Sequence, residues 1–509
     1  MTTARRRTAP LIGLLLALLL GATGCATGAD GGDGGAAPVA PGPNGVAPAP
    51  PPRPADGYDS AVPVAPETPR DPSLTDPQQD ARSTFALDID TGSYTRFRDA
   101  VRNGYRPDPY EVRTEEFVNY FEQDYRVPRE GLGVSIDAAA LPFRPDHRLV
   151  RVGIRSADVS AEQRPDADLV LVVDCSGSMS EAGKMETTRS ALRTLVANLR
   201  ATDRLAMVCY STTAAVALEP TWAGDRRRVD AAIDALHPSD TTNAEAGLTL
   251  GYDLAGRMRD EGRMTRLVLV SDGVANVGDT TSGGILERIG TEARAGTNLV
   301  SVGVGIATYD DQLLEQLADR GDGWHVYIDG PAEAERVFAT GLTGSLVVTA
   351  HDAKAQVEFD PAQVAGYRLL GYENRAVSDE DFRDDSVDGG EVTAGHATTA
   401  LYDVQLRGGA GGPEPFVTAT VRYRDGSGRV VERWERLADA ECAPHPAAAS
   451  PRLHQDLVLA MLTDQLTRGP WSQYLSPEEV RAEAYRLPAA LREDPDVVEL
   501  VTLVDRAVA

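Results

Sequence analysis

Basic residues are in short supply: 50 Lys and Arg against 77 Asp and Glu leave a formal charge of −27. Nucleic-acid binding needs cations clustered against phosphates, so that class is excluded. The same imbalance suits a soluble, self-repelling surface exposed to divalent cations. Cysteine is scarce as well. Besides Cys25 there are Cys175, Cys209 and Cys442, an odd number that cannot make a disulfide framework, although one pair stays open. The seven histidines are scattered, and none sits in an H-E-x-x-H or H-x-x-E-H pair, which removes the zinc proteases that carry those motifs. No stretch approaches the roughly 20 apolar residues that a membrane-spanning helix needs. Aromatic residues are also few, at 6%.

What is present begins with an export signal. Arg5, Arg6 and Arg7 precede an apolar run from Leu11 to Leu20, which is too short to cross a bilayer. The run ends in Ala22-Thr23-Gly24-Cys25. Small residues before a cysteine at this distance resemble the lipobox of bacterial lipoproteins, with Ala22 where leucine is commonest. The resemblance implies removal of residues 1–24, lipidation of Cys25 and a protein anchored to the cell membrane on its extracytoplasmic side. A plain signal peptide with an incidental cysteine is the competing reading.

Residues 25–82 read as a disordered linker rich in Pro, Gly and Ala. Thirteen of the 33 prolines lie between residues 26 and 77, and so few large apolar side chains cannot offset the entropy of ordering. Polyproline II segments would extend it by about 3.1 Å per residue. Residues 83–164 follow, with a strand over Ser83–Asp90, a helix over Glu111–Phe121 and a strand over Leu149–Ile154. Residues 165–343 then alternate strictly. Strands at Asp168–Val173, Arg204–Tyr210, Arg266–Val270, Leu299–Val304 and His325–Ile328 are separated by helical patterns, among them Met185–Leu199 and Ala244–Met258. Such alternation means βαβ units, and thus a doubly wound, mostly parallel α/β sheet. Residues 344–509 change texture, to a β-rich region and then a helical tail.

The chemistry collects at the strand ends. The apolar strand Asp168–Val173 runs into Asp174-Cys175-Ser176-Gly177-Ser178, a D-x-S-x-S pattern at the carboxyl edge, where open α/β sheets bind ligands. Oxygen side chains at alternate positions of one tight turn can converge, and Gly177 frees that turn. Thr242 precedes the helix at Ala244, and Asp272 ends the strand Arg266–Val270. Two carboxylates and three hydroxyls suit a hard divalent ion, Mg²⁺ above all, with Mn²⁺ or Ca²⁺ possible.

D-x-S-G-S, then T-N, then D-G resembles the metal-ion-dependent adhesion site of von Willebrand factor type A domains. The resemblance implies that Ser176, Ser178 and Thr242 bind through hydroxyls, and Asp174 and Asp272 directly or through water. Ser83–Tyr94, with Arg113–Tyr125, is similar to the N-terminal segment of a family of bacterial type A domain lipoproteins. Tyr367–Arg375 and Ala394-Gly395-His396 are similar to that family's C-terminal domain, whose function is unknown.

Other patterns read as decoys. Asp90-Thr91-Gly92-Ser93 copies an aspartic-protease motif, but no second one supplies the partner carboxylate. Gly177 to Lys184 lacks the glycine and hydroxyl spacing of a phosphate loop. Cys175 and Cys209 read as two buried thiols, a bond between them depending on geometry, and the acidic stretch Asp379–Asp388 reads as a solvated loop. The expected function is binding, not catalysis: the metal ion captures an acidic side chain of a protein partner. A structural envelope scaffold whose metal only stabilises the fold is the alternative, and a metal-dependent hydrolase a minor one.

Overall fold

The computed structural model describes residues 74–508, except residues 161, 182, 240, 274–282, 306–310, 341–346, 373–374, 386, 388 and 408–411. The expected leader, Cys25 and residues 25–73 of the linker lie outside the described residues.

Two sheets are built jointly from segments far apart in sequence. β1 (Arg82–Ala86) pairs antiparallel with β10 (Val348–Phe359), which also pairs with β12 (Gly390–Thr393) and β14 (Pro415–Arg424). β15 (Val430–Ala438) forms the edge beyond β14. The other sheet runs β11 (Val364–Leu370), β13 (Ala397–Leu406), β3 (Arg144–Ser156) and β2 (Leu132–Leu141). Segments 83–164 and 344–509 therefore share ladders. Their inner faces meet where the Phe359 ring stacks 4.2 Å from Tyr367 and lies 5.3 Å from Tyr402.

Five helices cover the outer face of that second sheet: α1 (Gly92–Arg102), α2 (Thr114–Tyr120), α9 (Pro451–Thr467), α10 (Pro477–Tyr485) and α11 (Pro495–Ala507). Phe97, Phe117, Leu457 and Leu500 join Leu149 and Leu401 in one apolar cluster. Each of α9, α10 and α11 begins with Pro after a Ser or Asp whose side chain accepts from the first turn. Such capping satisfies amide groups that no helical carbonyl reaches.

The third sheet lies between these segments in sequence. Its order is β6 (Ala214–Trp222), β5 (Arg204–Tyr210), β4 (Ala167–Asp174), β7 (Met264–Ser271), β8 (Thr297–Val304) and β9 (Trp324–Ile328). All pairings are parallel except that of β6 with β5. All eight residues of β4 are buried, as a strand covered on both faces requires. Leu169, Leu171 and Val173 pack with α3 (Lys184–Ala197) and α4 (Arg226–Ala235), through Leu192, Leu195 and Ile233. Val170 and Val172 face α5 (Ala244–Met258) on the opposite side, with α6 (Gly283–Arg294) and α7 (Asp311–Arg320) in the same layer. Full burial of each such side chain stabilises by roughly 1.5–3 kcal/mol.

Ion pairs join this sheet's domain to the rest. Arg375 reaches Asp88, Asp90, Glu315 and Asp319 within 3.6 Å. Arg98 reaches Asp329 at 2.8 Å and Glu333, in α8 (Pro331–Glu335), at 2.7 Å. The protease-like Asp90 belongs to this joint: its Oδ1 accepts from the His325 amide at 2.8 Å. The Asp379–Asp388 stretch is also engaged, with Asp385 bridging Arg422 and Arg424.

Candidate functional site

Parallel strands deliver their carboxyl ends to one edge, and four of the five expected residues gather there. Asp174 is the last residue of β4, and Asp272 directly follows β7. After Asp174 the chain turns: the Ser176 amide donates to Asp174 Oδ1 at 2.8 Å, and residues 177–180 close a short 3₁₀ turn. That turn holds the Ser176 and Ser178 hydroxyls 2.9 Å apart. Glycines with left-handed backbone here include Gly183 (φ 79°), Gly273 (φ 87°) and Gly305 (φ 93°), whereas Gly177 enters the 3₁₀ turn.

Asp174 is held on its second oxygen by the Ser271 hydroxyl at 2.9 Å and the Tyr210 hydroxyl at 3.2 Å. Burial pushes its carboxyl up to about 6, with the nearby Asp272 charge adding to the rise and hydrogen bonds from Ser176 and Ser271 opposing it. Asp272 is buried too. Its Oδ2 accepts from the Lys184 ammonium at 2.9 Å, while its buried Oδ1 has no hydrogen-bond partner among the described residues.

Thr242 is placed by a neighbouring loop. The Ser239 amide donates to the Cys175 carbonyl at 2.7 Å, tying this loop to the Asp174 turn. Asn243 caps α5 by accepting from the Ala246 amide at 3.0 Å. Thr242, between them in sequence, is buried, and among the described residues no hydrogen bond links its hydroxyl to the other four side chains.

Cys175 and Cys209 form a disulfide with Cα atoms 5.8 Å apart, which corrects the expectation of two free thiols. The cause is local: Val173 and Cys209 are register partners, and the Cys175 amide donates to the Tyr210 carbonyl at 2.7 Å. The backbone of β4 thus stays beside β5 past the end of the ladder. Cys442 is a free thiol that burial pushes up to about 12.

Sequence reasoning had passed over Tyr210, Ser271 and Lys184. Ser271 adjoins Asp272 and carried the readable signal of a hydroxyl at a strand end. Among the described residues no three His, Cys, Asp or Glu side chains gather as a metal cluster. This donor set is of another kind, two carboxylates and neutral hydroxyls. One of its carboxylate oxygens, Asp272 Oδ1, has no hydrogen-bond partner among the described residues, which fits a hard divalent ion.

Residues 168–337 match the family model described as von Willebrand factor type A domain. Residues 168–337 are a von Willebrand factor type A domain. Residues 67–151 match a second model described as von Willebrand factor, and residues 344–432 match "Uncharacterized protein YfbK, C-terminal". The chain is 35% identical over 339 residues to "Uncharacterized protein YfbK" of Escherichia coli (strain K12), a match spanning 65% of this chain and 59% of that protein. It is 26% identical over 353 residues to "E3 ubiquitin-protein ligase WAV3" of Arabidopsis thaliana, spanning 64% of this chain and 45% of that one. The chain thus covers less than two thirds of either relative's length. Among solved structures, "von Willebrand factor type A from Catenulispora acidiphila" is similar at 14% identity and a TM-score of 0.42, covering 76% of this chain and 90% of that one.

Proposed function

We propose that this type A domain protein is a lipid-anchored, extracytoplasmic binding module. Its metal-ion-dependent adhesion site would hold one divalent cation, Mg²⁺ before Mn²⁺ or Ca²⁺, and through it capture an acidic side chain of a protein partner. The observation that carries the reading is Asp272 Oδ1, buried and without a hydrogen-bond partner among the described residues, at the strand edge it shares with Asp174 and the Ser176–Ser178 hydroxyl pair. A buried acceptor left unsatisfied costs about 1–3 kcal/mol, and a cation offsets that cost. In this reading Asp174 and Asp272 supply the charge, and Ser176, Ser178 and Thr242 supply neutral oxygens. With at most two negative charges around it, the ion keeps an affinity for an incoming carboxylate.

A hydrolase would need a general base beside the ion. Among the described residues, the Ser271 and Tyr210 hydroxyls and the Lys184 ammonium engage the two carboxylates as hydrogen-bond donors, an arrangement that supports binding. The Cys175–Cys209 disulfide supports a location outside the reducing cytoplasm, where Cys25 would carry the anchor.

Titration calorimetry with Mg²⁺ and Mn²⁺ tests the site. The parent is expected to bind one ion and Asp174→Ala to lose it; equal binding by both overturns the reading. A co-purified partner that stays bound in EDTA assigns the site to the fold alone. The anchor is tested separately: Cys25→Ala should abolish lipid labelling, and a variant that remains labelled removes the assignment.

A further inference from the structure

Lys184 is an unusual neighbour for a cation site. Its side chain is 4% exposed, and its ammonium lies 2.9 Å from Asp272 Oδ2. It opens α3 directly after Gly183, whose left-handed backbone (φ 79°) turns the chain there. The aliphatic stem crosses Gly305 at the end of β8. Gly305 has φ 93°, and a Cβ at this position would sit 2.5 Å from Lys184 Cε. The path of the lysine is therefore built into two elements far apart in sequence. Glu181 is the other carboxylate near the ammonium, at 3.5 Å, but it is 65% exposed and screened by water.

We infer that Lys184 is a positioning residue for the cation site, and that its fixed charge trades metal affinity for capture of an anionic ligand. The inference rests on the proposed metal-binding reading. By holding Asp272 through Oδ2, Lys184 leaves Oδ1 as the oxygen offered to an ion. Its positive charge also alters the balance. Asp174, Asp272 and Lys184 together carry one net negative charge, so a bound divalent ion leaves the site net positive. Without Lys184 the loaded site would be neutral. The lysine therefore repels the metal somewhat and attracts a carboxylate to the loaded site, two effects of opposite sign from one charge.

The test uses the full-length protein, with Mn²⁺ alone as the first probe and acetate on the Mn²⁺-loaded protein as the second. Calorimetry reads the Mn²⁺ affinity, and water proton relaxation reads the displacement of metal-bound water by acetate. Lys184→Met keeps the stem and removes the charge; Lys184→Gln serves if the Met variant does not fold. The expected result is Mn²⁺ binding about tenfold tighter, with acetate several-fold weaker. A merely structural role would weaken both. Unchanged or weakened Mn²⁺ binding in a folded variant overturns the role of Lys184 while leaving the metal reading intact. No Mn²⁺ binding by the parent overturns both.

Discussion

At the scale of single residues, local spacing was legible and remote partners were not. Asp174, Ser176 and Ser178 lie within five positions, so one turn and one strand end suffice to place them. The groups that tune them come from elsewhere: Ser271 is 97 residues from Asp174, and Lys184 is 88 from Asp272. Nothing in a linear pattern announces such pairs. The same holds for Asp456, which is wholly buried on α9 and 3.2 Å from Arg151 on β3. Burial pushes its carboxyl up to about 6, with the Arg151 charge opposing the rise. An unfolded Asp titrates near 3.9, so between about pH 4 and 6 the folded chain holds a proton that the unfolded chain has released. Stability from this group is therefore full below about pH 4 and falls as pH rises to about 6, by up to about 3 kcal/mol. Asp174 is raised by burial in the same range, so denaturant unfolding of the parent and Asp456→Asn should show a fall in both, steeper in the parent by up to about 3 kcal/mol. Identical pH profiles would mean that Asp456 titrates as an ordinary carboxylate.

At the scale of elements, the buried alternating ones were readable and the edge ones were not. β5 and α5 have the bounds that their patterns predict, Arg204–Tyr210 and Ala244–Met258. β5 is apolar from Leu205 onward, and the helix carries two glycines four apart. A Cβ at Gly247 would lie 2.6 Å from the Tyr210 ring, and one at Gly251 2.5 Å from a Val172 methyl. Those glycines let α5 sit close on β4 and β5, which sets the height of Thr242 at its start. β6 escaped because it is a largely exposed edge strand containing Pro220, and such strands lack a buried face to write a pattern. α11 is a different kind of omission. Asp494 as cap, Pro495 after it, and buried Val497, Leu500, Leu503 and Val504 form a readable helix signature. The strand expected over Ser83–Asp90 ends at Ala86, because Asp88 and Asp90 turn to the Arg375 joint.

At the scale of the whole molecule, sequence order and spatial order part company. Composition and periodicity mark 83–164 and 344–509 as distinct stretches on either side of the type A domain, and nothing local says that they pair. The ladders do: β1 lies on β10, and β13 lies on β3 over nine register pairs from Ala397↔Arg155 to Gln405↔His147. Backbone amides and carbonyls in the middle of a sheet have no water to turn to once a partner strand is removed. The apolar faces lose cover as well, since Leu149 and Val150 of β3 are fully buried against the C-terminal elements. A fragment of residues 344–509 should therefore fail to fold alone, whereas the same fragment mixed with residues 74–164 should gain structure by strand pairing. Circular dichroism and amide-proton dispersion of the two fragments, separately and together, read the outcome. A cooperative, well-dispersed 344–509 fragment on its own would show that the N-terminal strands decorate this region rather than complete it.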